Sequence, residues 1–134
     1  MVFAINAYVS VIIFFIAVSA VIQLATLLFN LVTKYQIWDE IRQGNVAVAL
    51  STGGIILGVA NIMHFAIRSN DSLVTTLLWG GFGTLLLLAV YVAFELFTPV
   101  LPVSEEIGKG NKAVGLLSFF YSLAFSFVIG ASIS

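Results

Sequence analysis

From Val2 to Thr33 this chain carries no charged side chain. That run decides more about the fold than any other feature. A helix needs about 20 apolar residues to cross the hydrocarbon core of a bilayer, and here there is room to spare. Three more runs follow. Asn45 to Ile67 holds only His64 as an ionisable group, Leu73 to Phe94 is uncharged, and so is the stretch from Ala113 to the C-terminus. Backbone groups in lipid must pair within the protein, so runs this long span as helices. The expectation is an all-α membrane protein, one transmembrane domain over residues 1–134, with spans near 5–33, 45–67, 73–98 and 112–133.

Composition agrees. Hydrophobic residues make up 61% and charged residues 8%, against roughly 25% charged in a soluble domain. A surface so poor in charge belongs against lipid, and the bilayer is the first partner. The net charge of −1 argues against nucleic acid. There is no cysteine, hence no disulfide and no thiol chemistry. No basic residue precedes Lys34, and the first apolar run is too long for a secretory signal, so it reads as a retained span. Basic residues bias orientation. Lys34 and Arg42 lie in the first link and Lys109 and Lys112 in the third, but only Arg68 in the second. Four against one places the first and third links in the cytoplasm and both termini outside.

Those two cytoplasmic links repeat each other. "DEIRQGN" occupies Asp39 to Asn45, and "EEIGKGN" occupies Glu105 to Asn111, sixty-six residues later. Asp39 and Glu40 correspond to Glu105 and Glu106, Gly44 to Gly110, and Asn45 to Asn111; the match continues through Ala47/Ala113, Val48/Val114 and Leu50/Leu116. The unit is two helices, repeated in parallel over about 1–68 and 69–134, with a pseudo-twofold axis along the membrane normal. Each part of the sentence has a physical use. Asn caps a helix start, Gly allows the positive φ of a sharp turn, and acids suit the positive end of the helix dipole. Ile37, Trp38 and Ile41 suggest a short amphipathic turn at the interface with Trp38 as anchor; in the second copy Ser104 is placed to cap a similar turn. The two acidic clusters read either as well-formed helix entrances or as a cytoplasmic docking surface or pore vestibule.

With "EI..GN.AVAL" before the second span and "EIGKGNKAVGLL" before the fourth, the chain resembles the YjfL-like family of small four-span bacterial membrane proteins, a domain of unknown function. The resemblance covers essentially the whole length. It implies a bacterial inner-membrane protein of two tandem two-helix units, and no reaction. One departure is that the fourth span lacks the Gly-Gly pair the second carries at Gly53 and Gly54.

Small and polar residues form stripes at helical spacing. The second span shows Ala47, Ser51, Gly54, Gly58, Asn61, His64 and Arg68, with Gly54 and Gly58 as a GxxxG pair. The fourth shows Gly115, Ser118, Ser122, Ser126, Gly130 and Ser134, and the first offers Ser19, Gln23, Thr26 and Asn30. Such stripes are helix-packing surfaces, within a chain or between copies; the sharper reading is a hydrated path. Two ionisable residues stand apart. Glu95 closes the third span with Tyr91 one turn before it, and an intramembrane carboxylate is a candidate for ion or proton handling as well as for interfacial solvation. His64 lies toward the opposite end, too far to form a pair with Glu95. No cofactor motif, metal cluster or catalytic constellation is visible. The sequence thus points to a non-enzymatic, homo-oligomeric or partner-binding membrane assembly component, with a small ion or proton channel or transporter subunit as the alternative.

Overall fold

The computed structural model describes the backbone of residues 2–134 and the side chains of residues 6–134. Six helices follow one another: α1 Val2–Val32, α2 Ile37–Arg42, α3 Val46–Ser69, α4 Leu73–Phe97, α5 Val103–Gly108 and α6 Lys112–Ile133. Among the described residues, α1, α3, α4 and α6 are long and apolar enough to cross a membrane. The protein is a four-span membrane protein, with α2 and α5 as single short helices in the links.

Both copies of the repeated sentence take one local shape. Gly44 and Gly110 sit at φ 87° and 89°, a region glycine enters without a Cβ penalty. The N–H of Asn45 donates to the Glu40 carbonyl and that of Asn111 to the Glu106 carbonyl. Each Asn side chain then caps the next long helix, accepting from Val48 N in one copy and Val114 N in the other. The short helices start differently from expectation. Ser104 does not cap α5; Pro102 holds that position with no side-chain bond, and the Ser104 hydroxyl accepts from the Lys34 N–H at 3.0 Å instead. The start of α2 is capped from the preceding span, by Asn30 Oδ1 accepting from Ile37 N at 3.0 Å. Ile37 is fully buried and Trp38 half exposed, so Trp38 and not Ile37 is free to anchor at the interface.

α3 is the centre of the bundle. A Cβ on Gly115 would lie 2.7 Å from Ala47 Cα, one on Gly54 would lie 2.7 Å from Phe119 Cα, and one on Gly130 would strike the Phe65 ring. Residue numbers rise together along this seam, so α3 and α6 are parallel neighbours in near backbone contact. α4 runs antiparallel to α3, with Gly80 on Met63, Gly83 on Ile62 and Leu87 on Gly58. The core between them is apolar: Ile55, Val59, Ile62, Met63 and Leu87 have no exposed area. α1 lies at the margin, with 11% of its span buried against 56% for α3.

Candidate functional site

Small residues bring α3 and α6 together, and polar residues along that seam pair off. Ser51 and Ser118 share a hydrogen bond of 3.0 Å between their hydroxyls. Asn61 Nδ2 donates to Ser126 Oγ at 3.0 Å. Gly58 faces the Ser122 carbonyl and the Ser126 side chain. The glycine and serine stripes are therefore an intramolecular contact, and none of Gly54, Gly58, Ser118, Ser122 and Ser126 is open to a second copy. The lost Gly-Gly pair is explained by the same contact. Phe119 and Phe120 stand sixty-six residues after Gly53 and Gly54, and the backbone at Phe119 fills the space over Gly54.

The acidic clusters divide in the same way in both links. Asp39 and Glu105 are exposed, while Glu40 and Glu106 are half buried. Glu40 Oε2 accepts from Asn45 Nδ2 at 3.0 Å, and Glu106 Oε2 from Asn111 Nδ2 at 3.1 Å. Glu105 also meets Lys109 at 3.4 Å. One acid of each pair thus orients a capping Asn. The copies differ in one respect. Asn45 Nδ2 also reaches the Ile107 and Gly108 carbonyls, at 3.2 and 3.1 Å, and so ties the end of α5 to the start of α3.

The remaining polar group lies at the link end of the bundle. Tyr35, in the turn after α1, is buried against Gly108 of α5 and lies beside Ser51 and Tyr91. Tyr91 is buried edge-on to Phe29, ring centres 4.8 Å apart, with Ser104 nearby. Glu95 follows one turn later, 3.9 Å from Lys34 Nζ. Burial first of all pushes the Tyr35 hydroxyl above its ordinary pKa; the Ser51 and Tyr91 hydroxyls oppose this, and the charges of Glu95 and Glu40 add to it. The hydroxyls of Tyr35 and Tyr91 and one oxygen of Glu95 are buried without a hydrogen-bond partner, although most buried polar groups find one. Glu95 and Lys34 open onto a surface pocket of about 370 Å³ walled by Leu96, Thr98, Pro99 and Pro102. Oxygens of this kind suit water, a proton or a hard cation. They do not make a nucleophile with its base. Among the described residues no three His, Cys, Asp or Glu side chains are grouped to hold a metal ion.

Of the expected site residues, then, Tyr91 and Glu95 share a site, and Tyr35, Lys34 and Ser104 are additions to it. Their approach depends on the link folding back under the bundle, and no periodicity in the sequence marks that. His64 is not part of it. It is exposed, at the level where Met63 meets Gly80, and Gly80 precedes Glu95 by four turns of α4.

The family model for "Domain of Unknown Function (DUF350)" matches residues 3–133. The chain is 46% identical over 105 residues to the UPF0719 transmembrane protein YshE of Bacillus subtilis, covering 78% of each chain. It is 30% identical over 111 residues to the UPF0719 inner membrane protein YjfL of Escherichia coli K12, covering 83% of this chain and 82% of that one. No solved structure matches. On the match along nearly its whole length, the chain belongs to the DUF350 family, and YshE and YjfL are its membrane-protein relatives.

Proposed function

We propose that the protein is a non-enzymatic assembly component of a bacterial inner membrane, with both termini outside, that works by associating with itself and through that assembly with other membrane proteins. The observation that carries this reading is the position of α1. Three spans close on one another, while the first fully buries only Ala25, Thr26 and Phe29, toward its link end, and leaves most of its other described residues exposed. Inside the chain the mid-membrane level is filled by Ile55, Val59, Ile62, Met63 and Leu87, all without exposed area. Among the described residues that leaves no polar passage through a single copy. The test is the mass of the purified protein in lipid nanodiscs. The expected result is a defined multiple of the 14.4 kDa chain that persists on dilution; a single copy per disc at every loading would refute self-association.

A second reading has one observation in its favour. The unpartnered oxygens of Tyr35, Tyr91 and Glu95 would serve an ion or proton channel whose path runs between copies rather than within one. Proteoliposomes holding a pH- or potassium-sensitive dye distinguish the two. The assembly reading expects no flux above empty liposomes. Robust flux that collapses in Glu95→Gln would install the channel in its place.

A further inference from the structure

We infer that one exposed face of α1 is a helix–helix seam to a second copy of this chain, joined by hydrogen bonds between the two Gln23 carboxamides. The inference rests on the self-association proposed above and names the surface that carries it. Val9, Ile13, Ile16, Ala20, Gln23 and Leu27 recur at alternating steps of four and three. That is the heptad spacing which keeps one stripe of a helix against a partner helix. All six are exposed.

Gln23 is what selects this stripe among the uncovered faces of α1. Helix α1 runs from Val2 to Val32, so Gln23 stands about 9 Å along the axis from its centre, inside a hydrocarbon half-thickness of about 15 Å. At that depth neither water nor a lipid headgroup reaches it. Of the other amides of the spans, Asn30 is held at the start of α2 and Asn61 on Ser126, while Asn6 stands about 16 Å from the centre of α1, beyond the hydrocarbon half-thickness. Gln23 has no side-chain hydrogen bond among the described residues. A primary amide left facing lipid is strongly disfavoured.

A second copy is the partner that fits. A carboxamide both donates and accepts, so it complements itself. Copies inserted with the same orientation and related by a twofold axis along the membrane normal necessarily present Gln23 at the same depth. Ala20, one turn away, is small enough to let the two backbones approach. A single polar residue in an otherwise apolar seam also fixes register and copy number.

The native chain has no cysteine, so single-cysteine variants report cleanly. Oxidative cross-linking in membranes should give a dimer band for Ala20→Cys and Leu27→Cys, and none for Phe15→Cys, which is also exposed but lies about 120° around the helix from the middle of the stripe. Gln23→Leu, a change outside the core that leaves the fold intact, should lower the association constant about tenfold. Gln23→Asn, which keeps an amide, should recover part of it. A multimer whose cross-links form at Phe15 and not at Ala20, or that is undiminished by Gln23→Leu, overturns the seam and leaves self-association standing. A protein that is single-copy in nanodiscs overturns both.

Discussion

Asn45 and Asn111 occupy equivalent places in the two links, yet their loss should have unequal effects. Each accepts from the N–H three residues on, at 3.2 Å for Val48 and 3.4 Å for Val114. Removing such a cap costs about 1 kcal/mol; the Nδ2 bond to Glu106 goes with it, as the bond to Glu40 does at Asn45, so these losses fall alike on both alanine variants. Asn45 in addition donates to two carbonyls at the end of α5. The Ile107 carbonyl keeps the Gly110 N–H at 3.0 Å; the Gly108 carbonyl is the one that loses its donor. One partly buried bond is worth about 0.5–1.5 kcal/mol. Asn45→Ala should therefore cost roughly 1 kcal/mol more than Asn111→Ala. Equilibrium unfolding by sodium dodecyl sulfate in mixed micelles, followed by the fluorescence of Trp38 and Trp79, measures the difference. Serine substitutions separate the contributions, since serine keeps a capping oxygen without the reach to α5. Both lose the bond to the glutamate, so Asn45→Ser should retain a larger deficit than Asn111→Ser. Equal losses at the two positions would show that the bonds to α5 contribute nothing.

That seam gives a second prediction. Gly54→Ala puts a methyl group 2.7 Å from Phe119 Cα, a backbone atom that cannot swing away, and should destabilise the fold by about 1–3 kcal/mol. Gly53→Ala meets nothing within 4 Å and should be neutral or stabilising by up to about 1 kcal/mol through helix propensity; the same unfolding assay reads both. Orientation is checked by labelling intact cells with an impermeant maleimide. Ile133→Cys should react and Lys109→Cys should not, and the reverse pattern would invert the topology.

What the sequence by itself determined is what depends on solvent and on local backbone geometry. Uncharged runs of more than twenty residues leave only the spanning helix as a way to satisfy their backbones, so α1, α3, α4 and α6 were legible as four spanning helices. Gly-Asn before α3 and α6 has local meaning for the same reason, because a positive φ and a capping oxygen involve only neighbours in the chain. What only the tertiary structure decided is which polar residue meets which. Ser51 finds Ser118 across a parallel seam, Asn30 turns to α2, Tyr35 folds under the bundle to reach Tyr91 and Glu95, and Asn45 but not Asn111 crosses to the other half. In water a stripe of small and polar residues would differ enough from its surroundings to announce its face. In a bilayer the lipid is as apolar as leucine, so hydropathy cannot say whether such a stripe looks at another helix of the same chain, at another copy, or at lipid. Packing settles that, and here it used the stripes of α3 and α6 within the chain and left Gln23 of α1 without a partner.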